Sequence, residues 1–292
     1  MATRAPFIVP ALKKHTATVI MAHGLGDSGA GWMALAQNWR RRGMFDEVAF
    51  IFPNAPMIPI TVNFGMSMPG WYDITKLGRD VSGAARSISQ GERGLTVVQL
   101  DFEEAIRHQD EPGVLRSRDY FNTLIKEQID QGIKPSRIVV GGFSQGGAMS
   151  LFTGLTSTEK LGGVFGLSCY LLLHDRIKNF IPGDWPNKQT PFFIAHGEED
   201  EVVKFEFGKQ SAKMVQELGV EDVEFRSYSD LGHSADPDEV EDLTRFLHKV
   251  IPPEEGARVT YAVFLGIVVW RIAVMLLGII SGKKRDAPIK QD

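Results

Sequence analysis

Ser144 is the residue of this sequence whose setting most clearly suggests chemistry. It lies at the centre of residues 142–146 (GFSQG), where an apolar run ends and a helical pattern begins. A G-x-S-x-G segment between a strand and a helix forms a turn so tight that flanking side chains would collide and the serine is strained. We predict that Ser144 is a nucleophile whose hydroxyl projects above a sheet.

Two backbone amides could stabilise negative charge that develops beside Ser144. Because Ser144 precedes a helix, the amide of Gln145 and the positive end of the helix dipole point toward that charge. Early in the chain, a strand pattern ends in residues 23–29 (HGLGDSG), whose glycines let the backbone approach a substrate. The Leu25 amide is the candidate for the second donor, so Leu25 and Gln145 together predict an oxyanion hole.

A histidine is needed to take the proton from Ser144. In folds that carry this turn, the catalytic order along the chain is serine, acid, histidine. His233 lies in the loop before the final helical pattern, and a neutral imidazole can accept the serine proton near pH 7 and return it to the leaving group. We predict His233 as the general base. The alternatives are His196, which would precede the acid, and His174, which lies in an earlier loop.

The acid that orients His233 should lie in the loop after the apolar run at 191–195. Four carboxylates are candidates there: Glu198, Glu199, Asp200 and Glu201. Spacing alone does not choose among them. The one that acts would hold the tautomer of His233 and stabilise the imidazolium without taking the proton itself.

These candidate residues follow short apolar runs that alternate with helical patterns. Almost wholly apolar strands are typical of a parallel sheet buried on both faces, so we predict an α/β fold with a mostly parallel central sheet and helices on both faces. The predicted strands are 16–22, 48–52, 137–140, 163–167, 191–195 and 223–228. The predicted helices are 31–42, 114–131, 146–156, 205–218 and 238–250, the last with Pro237 at its start and Asp236 as N-cap.

Composition argues against several classes of function. The formal net charge of -4 and the pI of 6.0 provide no basic surface for a phosphate backbone, so no nucleic-acid partner is expected. The only cysteine, Cys169, cannot form an internal disulfide, which is typical of a reducing compartment. No zinc-site spacing occurs around these loops, so we expect no metal and no cofactor. Residues 1–14 lack the apolar run of a secretory signal, which predicts a cytoplasmic protein.

Two segments depart from the pattern of one catalytic domain, which we place at 1–253. Residues 78–99 are rich in Gly, Ser and Arg and indicate a flexible insertion: a lid over the active site, a block to its entrance, or translated intron. The extension 254–292 contains an apolar stretch at 259–280, long enough to cross a bilayer despite Arg271. It predicts a C-terminal tail anchor, with a surface-docked helix or a spurious extension as alternatives.

Five segments together resemble the cytosolic acyl-protein thioesterase family of α/β-hydrolases. They lie within roughly residues 15–253 and are 23–29 (HGLGDSG), 71–73 (WYD), 141–147 (GGFSQGG), 196–200 (HGEED) and 232–234 (GHS). The resemblance implies the α/β-hydrolase fold and a serine hydrolase that removes palmitoyl groups from S-acylated cysteines through an acyl-enzyme. It also implies Ser144, Asp200 and His233 as the triad. The alternative is a carboxylesterase or lysophospholipase acting on lipid esters.

The resemblance further implies an acyl-binding site and partners. The acyl site would include Ile74, Leu77, Tyr170 and Leu171; Trp71 also suits a fatty chain, although such residues are equally suited to a core. The implied partners are S-acylated proteins such as G-protein α subunits or Ras-like proteins, in the cytoplasm and nucleus, with membrane contact through 259–280. The insertion, the tail and the lack of an N-terminal acylatable cysteine depart from the family.

Overall fold

The computed structural model describes residues 4–75 and 109–254. Nearly all of them belong to one unit, Met1–Ile251, while a second unit, Pro252–Asp292, is described only at residues 252–254. Leu77, the predicted insertion at 78–99 and the apolar stretch at 259–280 lie outside the described residues. Among residues 4–75 and 109–254, no helix has the length and apolar character needed to span a membrane.

Most of the strands in the described ranges form one large sheet. The strands are β1 (Phe7–Val9), β2 (Ala17–Ala22), β3 (Val48–Phe52), β4 (Met57–Ile60), β5 (Met66–Pro69), β6 (Ile138–Phe143), β7 (Gly163–Leu167), β8 (Phe192–Gly197) and β9 (Val223–Tyr228). Seven of them pair in the order β1-β3-β2-β6-β7-β8-β9. Strands β2, β3 and β6 to β9 run parallel, and only β1 at the edge is antiparallel. The predicted fold class is confirmed.

Helices cover both faces of this sheet. They are α1 (Gly29–Arg41), α2 (Glu111–Asp130), α3 (Gln145–Thr156), α4 (Phe205–Leu218) and α5 (Pro237–Val250). Strand β2 shows why its residues are apolar throughout: Val19 and Met21 pack with residues of α1 and α5, whereas Ile20 and Ala22 pack with residues of α2 and α3. Two buried faces leave no position for a polar residue that needs solvent.

The sequence-based elements agree closely with the structure. The strands at 48–52, 163–167 and 223–228 and the helix at 205–218 have the predicted bounds, and the remaining predicted elements differ by up to three residues at an end. The start of α5 is also as predicted: the Asp236 carboxylate accepts a hydrogen bond from the Glu239 amide, 2.8 Å away.

Strands β1, β4 and β5 were not predicted. Strand β1 has only three residues, too few for a periodic signal. Strands β4 and β5 form a separate antiparallel hairpin and contain Pro59 and Pro69, which sequence analysis treats as evidence against a strand. Proline is tolerated here because a two-stranded hairpin has two open edges.

Candidate active site

Ser144 occupies the sharp turn between β6 and α3, in a conformation that most residues avoid. Its φ of 53° and ψ of -122° are unusual for a residue with a side chain. The turn needs the two flanking glycines, because a Cβ at Gly142 or Gly146 would lie 2.5 or 2.3 Å from the carbonyl oxygen of Ala22. The Ser144 amide also donates to the Leu167 carbonyl at the end of β7, at 2.8 Å. The backbone around Ser144 is therefore in close contact with both β2 and β7.

His233 lies beside the hydroxyl of Ser144. The distance between His233 Nε2 and Ser144 Oγ is 3.0 Å, and the distance between His233 Nδ1 and Asp200 Oδ2 is 2.7 Å. An ionised carboxylate can only accept, so Nδ1 carries the ring hydrogen and Nε2 presents its lone pair to the serine hydroxyl. The ring centroids of Phe143 and His233 lie 4.9 Å apart, with the rings tilted by 48°. This arrangement can remove the serine proton.

Asp200 is buried and receives several hydrogen bonds. Its Oδ1 accepts from the amides of Val202 and Val203, at 2.9 and 2.8 Å, while Oδ2 faces His233 and also lies 3.3 Å from His196 Nε2. Burial alone would raise the pKa of this carboxyl, but the hydrogen bonds from His196 and His233, the attraction of His233 and the Val203 amide outweigh it and hold the pKa far below its usual range. The carboxyl of Asp200 is therefore ionised near neutral pH.

The other candidates for acid and base occupy different places. Glu198, Glu199 and Glu201 are exposed, and the Glu198 carboxylate accepts a hydrogen bond from Ser227 Oγ at 2.7 Å. His196 is fully buried behind Asp200 and bonds through Nε2 to the Val203 carbonyl at 2.7 Å. His174 is half-buried in the segment that follows β7. Among these candidates, the structure brings only Asp200 and His233 into line with Ser144.

The two predicted oxyanion donors, Leu25 and Gln145, belong to segments that adjoin Ser144. Gln145 is the first residue of α3, and the first amides of a helix lack partners within the helix. We call the turn at residues 142–146 the elbow. Leu25 follows Gly24, whose backbone approaches the elbow so closely that a Cβ at Gly24 would lie 3.3 Å from Ser144 Cβ. The loop after β2 is therefore adjacent to the nucleophile, as an oxyanion hole requires.

The side chain of Gln145 has a structural role that sequence analysis missed. Its Oε1 accepts from the Trp71 amide at 2.8 Å, and its Nε2 donates to the Tyr72 carbonyl at 2.7 Å. The indole N–H of Trp71 in turn donates to the His23 carbonyl at 2.8 Å. These bonds connect the turn at Ser144, the WYD segment and the loop that follows β2. Three segments so far apart in the sequence give no local signal of such a connection.

The predicted acyl-binding residues have varied surroundings. Trp71 and Leu171 are buried, at 2% and 0% exposure, and belong to the core on the α3 face of the sheet. Ile74 and Tyr170 are half-buried against that core, and the Tyr170 hydroxyl lies 3.0 Å from that of Tyr72. All four lie near the segment that Gln145 holds. Leu77 falls outside the described part of the chain.

Comparisons with known proteins agree with this geometry. A family model described as Phospholipase/Carboxylesterase matches residues 3–96 and 95–251. Acyl-protein thioesterase 1 of Emericella nidulans is 72% identical over 254 residues, covering 87% of this chain and 98% of the relative. Acyl-protein thioesterase 1 of Aspergillus fumigatus is 71% identical over 255 residues, covering 87% and 96%. The crystal structure of Arabidopsis thaliana SOBER1 has a TM-score of 0.66 and 27% identity, covering 81% and 99%.

The family model spans Ser144, Asp200 and His233. The relatives match over nearly their whole length, and the fold is shared. This chain belongs to the phospholipase/carboxylesterase family of α/β-hydrolases.

Proposed function

We propose that this protein is a serine hydrolase that removes fatty acyl groups, palmitoyl above all, from S-acylated cysteines of proteins. The observation that carries the proposal is the line of contacts from Asp200 through His233 to Ser144, with both distances at 3.0 Å or less. The names of the fungal relatives, acyl-protein thioesterase 1, support the substrate class.

The reaction follows from the roles of these residues. Ser144 Oγ attacks the thioester carbonyl as its proton moves to His233 Nε2, and the amides of Leu25 and Gln145 stabilise the oxyanion. When the intermediate collapses, the C–S bond breaks and His233 returns the proton to the cysteine sulfur. Water then attacks the acyl-enzyme with His233 again as base, releasing the fatty acid and restoring the serine. Asp200 stabilises the imidazolium throughout.

The acyl chain would lie against the half-buried side chains of Ile74 and Tyr170. The family resemblance adds Leu77 to this site as an expectation from the sequence alone. Trp71 and Leu171 would form the packed layer beneath it, since both are already buried. An apolar wall beside a polar triad suits a substrate with one fatty end and one reactive carbonyl.

The experiment that tests this proposal compares turnover of a palmitoyl-cysteine peptide with that of a lysophospholipid, together with labelling by a fluorophosphonate probe. The wild-type protein should prefer the peptide and react with the probe, and Ser144→Ala should do neither. A strong preference for the lysophospholipid would assign the protein to the lipid-ester alternative, which the family description also names. Absence of labelling in the wild type would contradict a serine hydrolase of any substrate class.

We further propose the finer features that the sequence implies: a catalytic domain at 1–253, a cytoplasmic and nuclear location, G-protein α subunits or Ras-like proteins as partners, and a tail anchor at 259–280. An apolar stretch of this length supports the anchor. Carbonate-resistant pelleting of the full chain, lost when residues 257–292 are removed, is the expected result. If carbonate released the full chain and the truncated chain equally, this result would contradict a tail anchor at 259–280.

A further inference from the structure

His23 lies at the end of β2, fully buried, with a defined partner for each ring nitrogen. Nδ1 is 2.7 Å from the Gly24 carbonyl oxygen, and Nε2 is 3.1 Å from the Ala55 amide nitrogen. A backbone amide can only donate, so Nε2 accepts and Nδ1 carries the hydrogen that is donated to Gly24. Burial lowers the pKa of His23, which favours the neutral ring that this pair of bonds requires.

The carbonyl that His23 holds belongs to the same peptide unit as the Leu25 N–H. The Gly24–Leu25 peptide is trans, like the others among residues 4–75 and 109–254. In a trans peptide the C=O and N–H groups point in opposite directions. The Asp27 amide donates to the same Gly24 oxygen at 3.3 Å. Fixing this oxygen therefore fixes the direction of the Leu25 N–H, away from the His23 ring.

His23 is itself held in place by the segment that contacts the elbow. Its carbonyl accepts from Trp71 Nε1 at 2.8 Å, and the two rings lie 5.2 Å apart. Trp71 is tied to the elbow because its amide donates to Gln145 Oε1. The His23 residue is therefore connected to the turn at Ser144 through the hydrogen bonds of Trp71 and Gln145. The carbonyl that the imidazole holds belongs to a glycine, the residue with the greatest backbone freedom.

We propose that His23 is a positioning residue for the oxyanion hole: its Nδ1–H orients the Gly24–Leu25 peptide so that the Leu25 amide faces the oxyanion formed at Ser144. The inference rests on the proposed role of Leu25. Negative charge develops on the carbonyl oxygen only as the reaction proceeds, so the orientation of this amide acts on the transition state more than on substrate binding.

The test compares two substitutions that differ in the bond to Gly24. His23→Phe keeps a flat ring beside Trp71 and removes the donor, whereas the short amide of His23→Asn can place an N–H near the position of Nδ1. Both are assayed for kcat and KM with a palmitoyl-cysteine peptide, for inhibition by a trifluoromethyl ketone that forms a tetrahedral adduct with Ser144, and for unfolding by denaturant.

His23→Phe should lower kcat by roughly tenfold to hundredfold. This decrease should not exceed the decrease in kcat that follows removal of an oxyanion donor itself. KM should stay within about twofold, affinity for the ketone should fall by the same factor as kcat/KM, and His23→Asn should recover most of the loss. Wild-type kcat in His23→Phe, or a change in KM alone, would overturn the proposal while leaving the serine hydrolase intact. An inactive wild type would instead remove the proposed function.

A third variant covers the case in which His23→Phe does not fold. The longer amide of His23→Gln reaches toward Ala55 and not toward Gly24, so it should resemble His23→Asn in stability and fall below it in kcat. Equal kcat in the two amide variants, at equal stability, would show that the bond to Gly24 does not position the donor.

Discussion

His196 Nε2 lies 3.3 Å from Asp200 Oδ2 in a place that solvent does not reach. The same nitrogen lies 2.7 Å from the Val203 carbonyl, which only accepts, so Nε2 carries the ring hydrogen. Its Nδ1 has no hydrogen-bond partner in the described part of the chain and packs against Gly208, where a Cβ would lie 2.2 Å from it. Asp200 Oδ2 thus faces two histidines: His233, which also contacts Ser144, and His196, which does not.

Replacing His196 with phenylalanine should therefore impair catalysis without touching the substrate. Asp200 would lose a hydrogen bond that helps to orient its carboxylate toward His233, and this loss of orientation should lower the rate. The carboxylate would also become more basic and hold the proton of imidazolium His233 more tightly, which moves the acid limb. We expect kcat/KM to fall about tenfold, in line with one hydrogen bond to a charged group, and its acid limb to move to higher pH. His196→Gln retains an N–H, so its kcat/KM and the position of its acid limb should lie between those of the wild type and His196→Phe. An unchanged acid limb in His196→Phe would contradict this role.

Asp200→Asn should be far more damaging than any change to its exposed neighbours. An amide can turn its N–H toward His233 and stabilise the wrong tautomer, so we expect kcat to fall by roughly 10³ to 10⁴. Glu199→Gln, in the same loop and exposed, is the matched control and should retain wild-type kcat. Steady-state kinetics on one acyl substrate measure both. A comparable loss in Glu199→Gln would mean that the loop tolerates no change of charge.

Gly146→Ala should test the geometry of the elbow. The new Cβ would lie 2.3 Å from the Ala22 carbonyl oxygen and 2.5 Å from that of His23, both backbone atoms that cannot move freely. We expect the free energy of unfolding to fall by about 1–3 kcal/mol, and activity to fall as Ser144 shifts. Gly183→Ala, where no atom lies within 4 Å, should change the free energy of unfolding little. Denaturant unfolding followed by circular dichroism compares them.

Glu239→Gln should change how stability depends on pH. The Glu239 carboxyl is fully buried on α5, and neither of its oxygens has a hydrogen-bond partner among the described residues. Burial, with the charges of Asp236 and Asp200, raises its pKa to about 8. Between the ordinary value of 4.5 and about 8, the folded protein keeps a proton that the unfolded chain releases, so stability falls as pH rises.

The wild type should therefore lose up to about 1.4 kcal/mol of stability per pH unit in this window relative to Glu239→Gln, and the difference should level off above it. Denaturant titrations at intervals from pH 5 to pH 9 measure the difference. Glu241→Gln, on the same helix and paired with Arg42 at the surface, should follow the wild-type profile. Parallel profiles for Glu239→Gln and the wild type would show that the buried carboxyl ionises normally.

Local sequence determined much of this protein. The apolar runs predicted the parallel strands because a strand covered by helices on both faces has no polar position. The glycines at 142 and 146 and the helix after them predicted the strained turn at Ser144, since these effects act over a few residues. The loop that contains His233 was predicted from its place in the chain order. Pro237 and Asp236 likewise placed the start of α5.

Tertiary structure decided the features that depend on contacts between segments far apart in the sequence. The choice of Asp200 rested on family resemblance, because four carboxylates share one loop and only burial against His196 and His233 distinguishes them. The link from Gln145 to Trp71 joins residues 74 positions apart, and no local pattern encodes it. The same holds for the tautomer of His23, which the Ala55 amide sets. Hydrogen bonds between segments depend on how the chain packs, and packing is a property of the whole fold.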